Sequence, residues 1–118
     1  MKTIIVTSKM IIDAVEETLR HHCAFCTKSL ISALDVIFET EHGEYQLTMK
    51  LIPNDQELCF KTRNTYSNAF VCIDYFCGRV STRTNRANET HEFIAAVMLD
   101  VQKRMEKMLL DNVVDTDE

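Results

Sequence analysis

Residues 34–51 read LDVIFETEHGEYQLTMKL, and this stretch decides the fold. Tyr45, Leu47, Met49 and Leu51 alternate with Gln46, Thr48 and Lys50, the period-two pattern of a strand with one face buried. Ahead of them, Leu34, Val36 and Phe38 share the same spacing. Glycine tolerates the positive φ of a tight hairpin, so His42-Gly43 is expected to be a two-residue turn joining two antiparallel strands. That turn sets Leu34 opposite Leu51, Val36 opposite Met49 and Phe38 opposite Leu47, with Asp35 meeting Lys50 on the other face.

Working outward, Pro53-Asn54-Asp55-Gln56 is a run of turn formers that would place Leu58 opposite Leu51 and Phe60 opposite Met49. A four-residue turn at 64–67 leads to a strand near 69–77, and Gly78-Arg79 leads on to another near 80–85, setting Asp74 across from Arg83. The strand near 69–77 is apolar on both faces: Val71, Ile73 and Tyr75 point one way, and Phe70, Cys72 and Phe76 the other. Thr3-Ile4-Ile5-Val6-Thr7 is β-branched throughout and reads as a further short strand.

On both sides of the strands the period changes to that of a helix. Ile11, Ala14, Val15, Thr18, Leu19 and His22 line one face of an expected helix near 9–24, capped by Ser8. Ile94, Val97, Val101, Met105 and Met108 line one face of another near 89–111, capped by Asn88 or Thr90, with Asp100 and Arg104 spaced as an i,i+4 pair. The expected fold class is α+β: a two-layer sandwich with an antiparallel four- or five-stranded meander. The N-terminal and C-terminal helices pack on one of its faces, the one carrying Leu34, Val36, Phe38, Leu47, Met49, Leu51, Leu58 and Phe60. One domain over 1–112 and an acidic disordered tail over 113–118 complete the organisation.

Composition narrows the function classes. With 118 residues, 46% of them hydrophobic, the chain has one domain's length and apolar content. Two glycines and one proline leave no room for glycine-rich phosphate loops or flexible linkers. The longest apolar run, Phe93–Leu99, is too short to cross a bilayer, and the opening residues do not resemble a signal peptide, so a cytoplasmic protein with no membrane contact is expected. Five cysteines (Cys23, Cys26, Cys59, Cys72 and Cys77) are an odd number and are expected as free thiols.

His21-His22-Cys23-Ala24-Phe25-Cys26 has the donor types zinc prefers, but a structural site needs a second ligand pair, and Cys72 and Cys77 on one strand would point to opposite faces. A zinc-binding regulator is therefore the third reading, behind buried thiols. Redox chemistry at Cys23 and Cys26 is disfavoured, because a reactive CxxC draws its low thiol pKa from the start of a helix and this pair follows the end of one. No flanking motif supports a cysteine nucleophile with any of the four histidines, so no catalytic residue, cofactor or metal is assigned and no enzyme is expected.

Charge singles out one surface. The net charge is -5, yet residues 61–86 carry five cations against Asp74 alone. The sheet face away from the helices then gathers Lys61, Arg63, Phe70, Phe76 and Arg83, the candidate partner-binding residues. The reading is a small non-enzymatic binding or regulatory protein acting by protein–protein contact as a homodimer, hiding Phe70 and Phe76. The alternative is single-stranded RNA or DNA, with aromatics stacking on bases and cations on phosphates.

Overall fold

The computed structural model describes residues 2–63, 67–85 and 91–115. Among the described residues, eight strands and two helices follow the order β1 (Lys2–Ile4), α1 (Ser8–His22), β2 (Cys26–Ser32), β3 (Asp35–Thr40), β4 (Gly43–Ile52), β5 (Asp55–Arg63), β6 (Phe70–Phe76), β7 (Arg79–Asn85), α2 (Glu92–Asp111) and β8 (Val113–Asp115). Strands β2 to β7 form one antiparallel meander in chain order, and β1 pairs with β8 in a separate two-stranded sheet. The fold class is α+β, as the sequence patterning implies, with six strands in the main sheet.

The core forms where the two periods meet. Val36 and Phe38 of β3, Tyr45, Leu47 and Met49 of β4, Leu58 and Phe60 of β5, and Val71, Ile73 and Tyr75 of β6 are all buried. Against them lie Ile11, Val15 and Leu19 of α1 and Ile94, Val97, Met98, Val101, Met105 and Leu109 of α2. Stacking of Tyr45 on Phe60, with ring centroids 5.2 Å apart, marks the centre. Met98 and Met105 are plain core filling, and Met108 is packed at its margin.

Three hairpin registers differ from expectation by two residues each. Val36 faces Leu47 and Phe38 faces Tyr45, because Glu41-His42 fill the first turn and Gly43 follows it at φ 112. Thr40 fixes that turn: its hydroxyl accepts from the His42 N–H and donates to the Gly43 carbonyl. Pro53-Asn54 alone make the next turn, so Met49 faces Leu58 and Leu47 faces Phe60. Cys77-Gly78, not Gly78-Arg79, make the last, and Asp74 faces Ser81 while Arg83 faces Cys72. A shift of two conserves every side chain's face, so the core is the expected one, Leu34 apart, although its cross-strand partners are not. The pairing of Lys61 with Phe70 is the one expected from a four-residue turn; that turn's residues 64–66 lie outside the described residues.

The last turn has φ 48 at Cys77 and 95 at Gly78, the signature of a type I′ hairpin. A Cβ on Gly78 would meet nothing closer than the Lys2 Cδ at 3.8 Å, so space is not the constraint. Gly78→Ala is therefore expected to destabilise the fold by about 1–2 kcal/mol through backbone strain alone, read as a lowered urea midpoint at unchanged m.

Other expectations are corrected in detail. Thr7, not Ser8, caps α1, its hydroxyl accepting from the Met10 N–H at 3.2 Å. The helix ends at His22. Helix α2 begins at Glu92, and the expected caps Asn88 and Thr90 lie outside the described residues. Strand β1 is shorter than expected and joins β8, whose Val113–Asp115 were assigned to the tail. Two bonds hold that pair in place: the Tyr75 hydroxyl donates to the Lys2 carbonyl at 2.8 Å, and the Ile4 N–H donates to the Pro53 carbonyl at 2.9 Å. Asp100 bonds His22, and Arg104 reaches Glu17 at 3.3 Å, so the expected Asp100–Arg104 pair is not made. Lys50 pairs with Asp55 at 2.7 Å, and Asp35 accepts from Gln46 at 2.9 Å, so neither meets the other. Leu34, placed in the core by alternation, is 41% exposed at the end of the β2–β3 hairpin.

Candidate functional site

The first candidate surface is the outer face of the sheet, away from the buried core. Alternation along β5, β6 and β7 brings Lys61, Arg63, Phe70, Phe76 and Arg83 to that face together. Lys61 lies directly across from Phe70, and Arg83 across from Cys72, while Phe76 sits at the far end beside Arg79. Arg83 also reaches Asp74, diagonally, at 4.0 Å.

The charge of this face is not that of the 61–86 segment. Strands β3 and β4 bring Asp35, Glu39 and Glu44 to it, and Asp55, Glu57 and Asp74 lie among the cations. Against these six carboxylates stand Lys50, Lys61, Arg63, Arg79 and Arg83, a net charge of -1 across the described strands. A segment's charge is diluted once neighbouring strands interleave, and among the described strands carboxylates stand between the cations of this face. The apolar content is also small: Phe76 is 62% exposed and Ile52 48%, while Phe70 is half-buried.

At the centre of the face lies a hollow of about 380 Å³, lined by Thr48, Cys59, Lys61, Thr62, Asn68, Ala69, Phe70 and Cys72. Its floor is a disulfide between Cys59 and Cys72, directly opposed residues of β5 and β6. Two of the five expected free thiols are therefore paired. The expected four-residue turn at 64–67 already sets Cys59 opposite Cys72; the pair was passed over because the odd number of cysteines and the lack of an export signal pointed to free thiols.

The second surface was not foreseen. Strand β2 is one edge of the six-stranded sheet, and apart from Cys26 all its residues are exposed. Leu30 is 58% exposed; Ile31, the unpaired residue of a bulge in β2, is 65% exposed; and Leu34 follows in the turn. Leu30 also borders a groove of about 360 Å³ between β2 and the start of α1, lined by Ser8, Lys9, Ile12, Asp13, Lys28 and Ala33. The opposite edge, β7, has Arg79 and Arg83 and no large exposed apolar side chain. Cations on an edge strand discourage further pairing, whereas β2 has only Lys28.

The first half of β2 is held to α1 by charge. Lys28 meets Glu16 at 2.8 Å, and Arg20 bonds both Glu16 at 3.1 Å and the Cys26 carbonyl at 2.8 Å. The Lys28 ammonium, and after it the Arg20 guanidinium, hold the Glu16 carboxyl below its ordinary pKa. A carboxyl depressed in the folded state stabilises the fold above its unfolded pKa of about 4.3, and that contribution is lost as pH falls through the lower folded value. Melting temperature is therefore expected to fall less steeply below about pH 4.3 in Lys28→Met than in the wild type.

The histidine–cysteine cluster is dispersed. His21 is exposed, His22 bonds Asp100, and Cys23 and Cys26 are buried beneath β3 and α1. Burial pushes the Cys26 thiol up to about 11 and raises that of Cys23 as well. Among the described residues, no three His, Cys, Asp or Glu side chains stand together to hold a metal ion. No helix among those residues is long and apolar enough to cross a membrane. Compared with protein families, curated proteins and solved structures, the chain matches no family model, no curated protein and no solved structure.

Proposed function

We propose that this is a small cytoplasmic, non-enzymatic binding or regulatory protein that acts by protein–protein contact, and that it self-associates through β2. The observation that supports this is the open β2 edge with Leu30, Ile31 and Leu34 exposed beside it. An antiparallel strand pairs with its own copy about a two-fold axis, and the resulting interface is closed. Pairing of β2 with the other edge would instead run head to tail without end, and the two arginines of β7 oppose it. Two copies joined at β2 make one continuous twelve-stranded sheet.

Sedimentation equilibrium over a wide concentration range tests this reading. A monomer–dimer equilibrium is expected, and a strict monomer at every concentration would remove self-association. The outer face is the rival contact. Replacing Lys61, Arg63 and Arg83 together by Ala is expected to leave the dimer intact and stability nearly unchanged, exposed charges being worth little to folding. The nucleic-acid reading predicts retention on single strands that weakens steeply with salt. The carboxylates among the cations of that face count against it.

A further inference from the structure

The Cys59–Cys72 bridge lies where covalent support is least needed. Strands β5 and β6 already pair through seven consecutive residue pairs, from Asp55 with Phe76 to Lys61 with Phe70, so opening the bridge leaves the sheet hydrogen-bonded. Nor is the bridge sealed: it floors the open hollow of about 380 Å³ on the outer face. The two cysteines differ little in burial, Cys59 being half-buried and Cys72 9% exposed, but they differ in their neighbours. Arg83 stands directly across from Cys72 on β7, while Glu57 precedes Cys59 by two residues on the same face. Asp74 lies on that face as well and is engaged by Arg83. Lys61 is the one charged side chain among the residues lining the hollow, and just outside that lining the Glu57 carboxylate lies 3.9 Å from the Cys59 Sγ.

We propose that this hollow is a thiol–disulfide exchange site for a small, negatively charged thiol, which enters beside Lys61 and is captured on Cys59. The incoming thiolate sulfur bonds to the Cys59 Sγ as the Cys59–Cys72 bond breaks. The electron pair of that bond leaves on the Cys72 Sγ, which becomes a thiolate on the residue paired with Arg83 and takes a proton from solvent. Attack from the other side is disfavoured, because Cys59 would then leave as a thiolate 3.9 Å from the Glu57 carboxylate. A second thiol then attacks the mixed disulfide. Two thiols become one disulfide, and the bridge becomes two cysteines. This proposal is independent of β2 and of self-association.

The test uses the Cys77→Ser chain, because Cys77 is an exposed free thiol and would label regardless, whereas Cys23 and Cys26 are buried. The folded protein is incubated with reduced glutathione or with cysteamine, a cationic thiol, then quenched with iodoacetamide and mapped by mass spectrometry, with circular dichroism recorded in parallel. The expected result is glutathione on Cys59 and alkylation on Cys72 at an unchanged spectrum. Glutathione should react several-fold faster than cysteamine, and Lys61→Ala should remove that advantage. A Cys72→Ser variant exposed to glutathione disulfide should hold the adduct on Cys59; if that variant fails to fold, the mapping in the Cys77→Ser chain decides alone. The proposal is overturned if the bridge stays intact until denaturant is added, if the adduct sits on Cys72, if both cysteines alkylate before any thiol is supplied, or if the two thiols react alike.

Discussion

Met49→Asp is expected to prevent folding, while Lys50→Asp next to it leaves the fold in place. Met49 is buried in the core face of β4, opposite Leu58, and its N–H bonds the Leu34 carbonyl at 2.9 Å. An aspartate there has no cation within the core, and an unpaired buried charge costs several kcal/mol out of a total stability of about 5–15. Lys50 points to the outer face, half exposed, and pairs with Asp55. Its reversal removes that pair and adds repulsion from Asp55, a small loss, since exposed ion pairs are worth little to folding. Circular dichroism and thermal melts of the two variants read the difference. Similar melts would mean that β4 presents the other face to the helices.

Leu30→Lys is expected to weaken self-association by about thirtyfold or more, equivalent to ~2 kcal/mol, without altering the monomer's melt. Leu30 lies on the regular part of the β2 edge, before the bulge at Ile31, and is more than half exposed. Its loss therefore costs the monomer little. A lysine on an open edge places an unpaired charge where a second strand would add, the same protection β7 draws from its arginines. Sedimentation equilibrium reads the dissociation constant directly. An unchanged constant would move the contact to the outer face and to Phe70 and Phe76.

Which residues are buried was legible in the sequence, Leu34 apart; which residues are paired was legible only between β5 and β6. Alternation in Tyr45–Leu51 and the helical stripes of Ile11–Leu19 and Ile94–Met105 report which side faces the core, and that information survives a two-residue slip. Register depends on which residues fill each turn. Glycine was placed first in the Gly78-Arg79 turn, whereas a type I′ turn places it second, after Cys77. Strand β2 was missed for a different reason: Cys26–Ser32 is exposed on both faces after Cys26, so it has no apolar alternation to read. The outer-face residues were correctly grouped because Lys61 and Arg63 are two apart on one strand and the β5–β6 register was as expected. The charge around them was not legible, since a count along residues 61–86 leaves out the carboxylates that β3 and β4 bring alongside.

Hydrogen exchange at the backbone amides of β2, followed as protein concentration is raised, tests self-association most directly. Those amides of Thr27–Leu30 that do not bond to β3 are open to solvent in a single copy and are paired when two copies join at this edge. Their protection is expected to increase with concentration in step with the dimer fraction, and to remain low at every concentration in Leu30→Lys. Exchange at β2 that is equally fast at all concentrations, in a protein that sediments as a dimer, would contradict pairing at this edge.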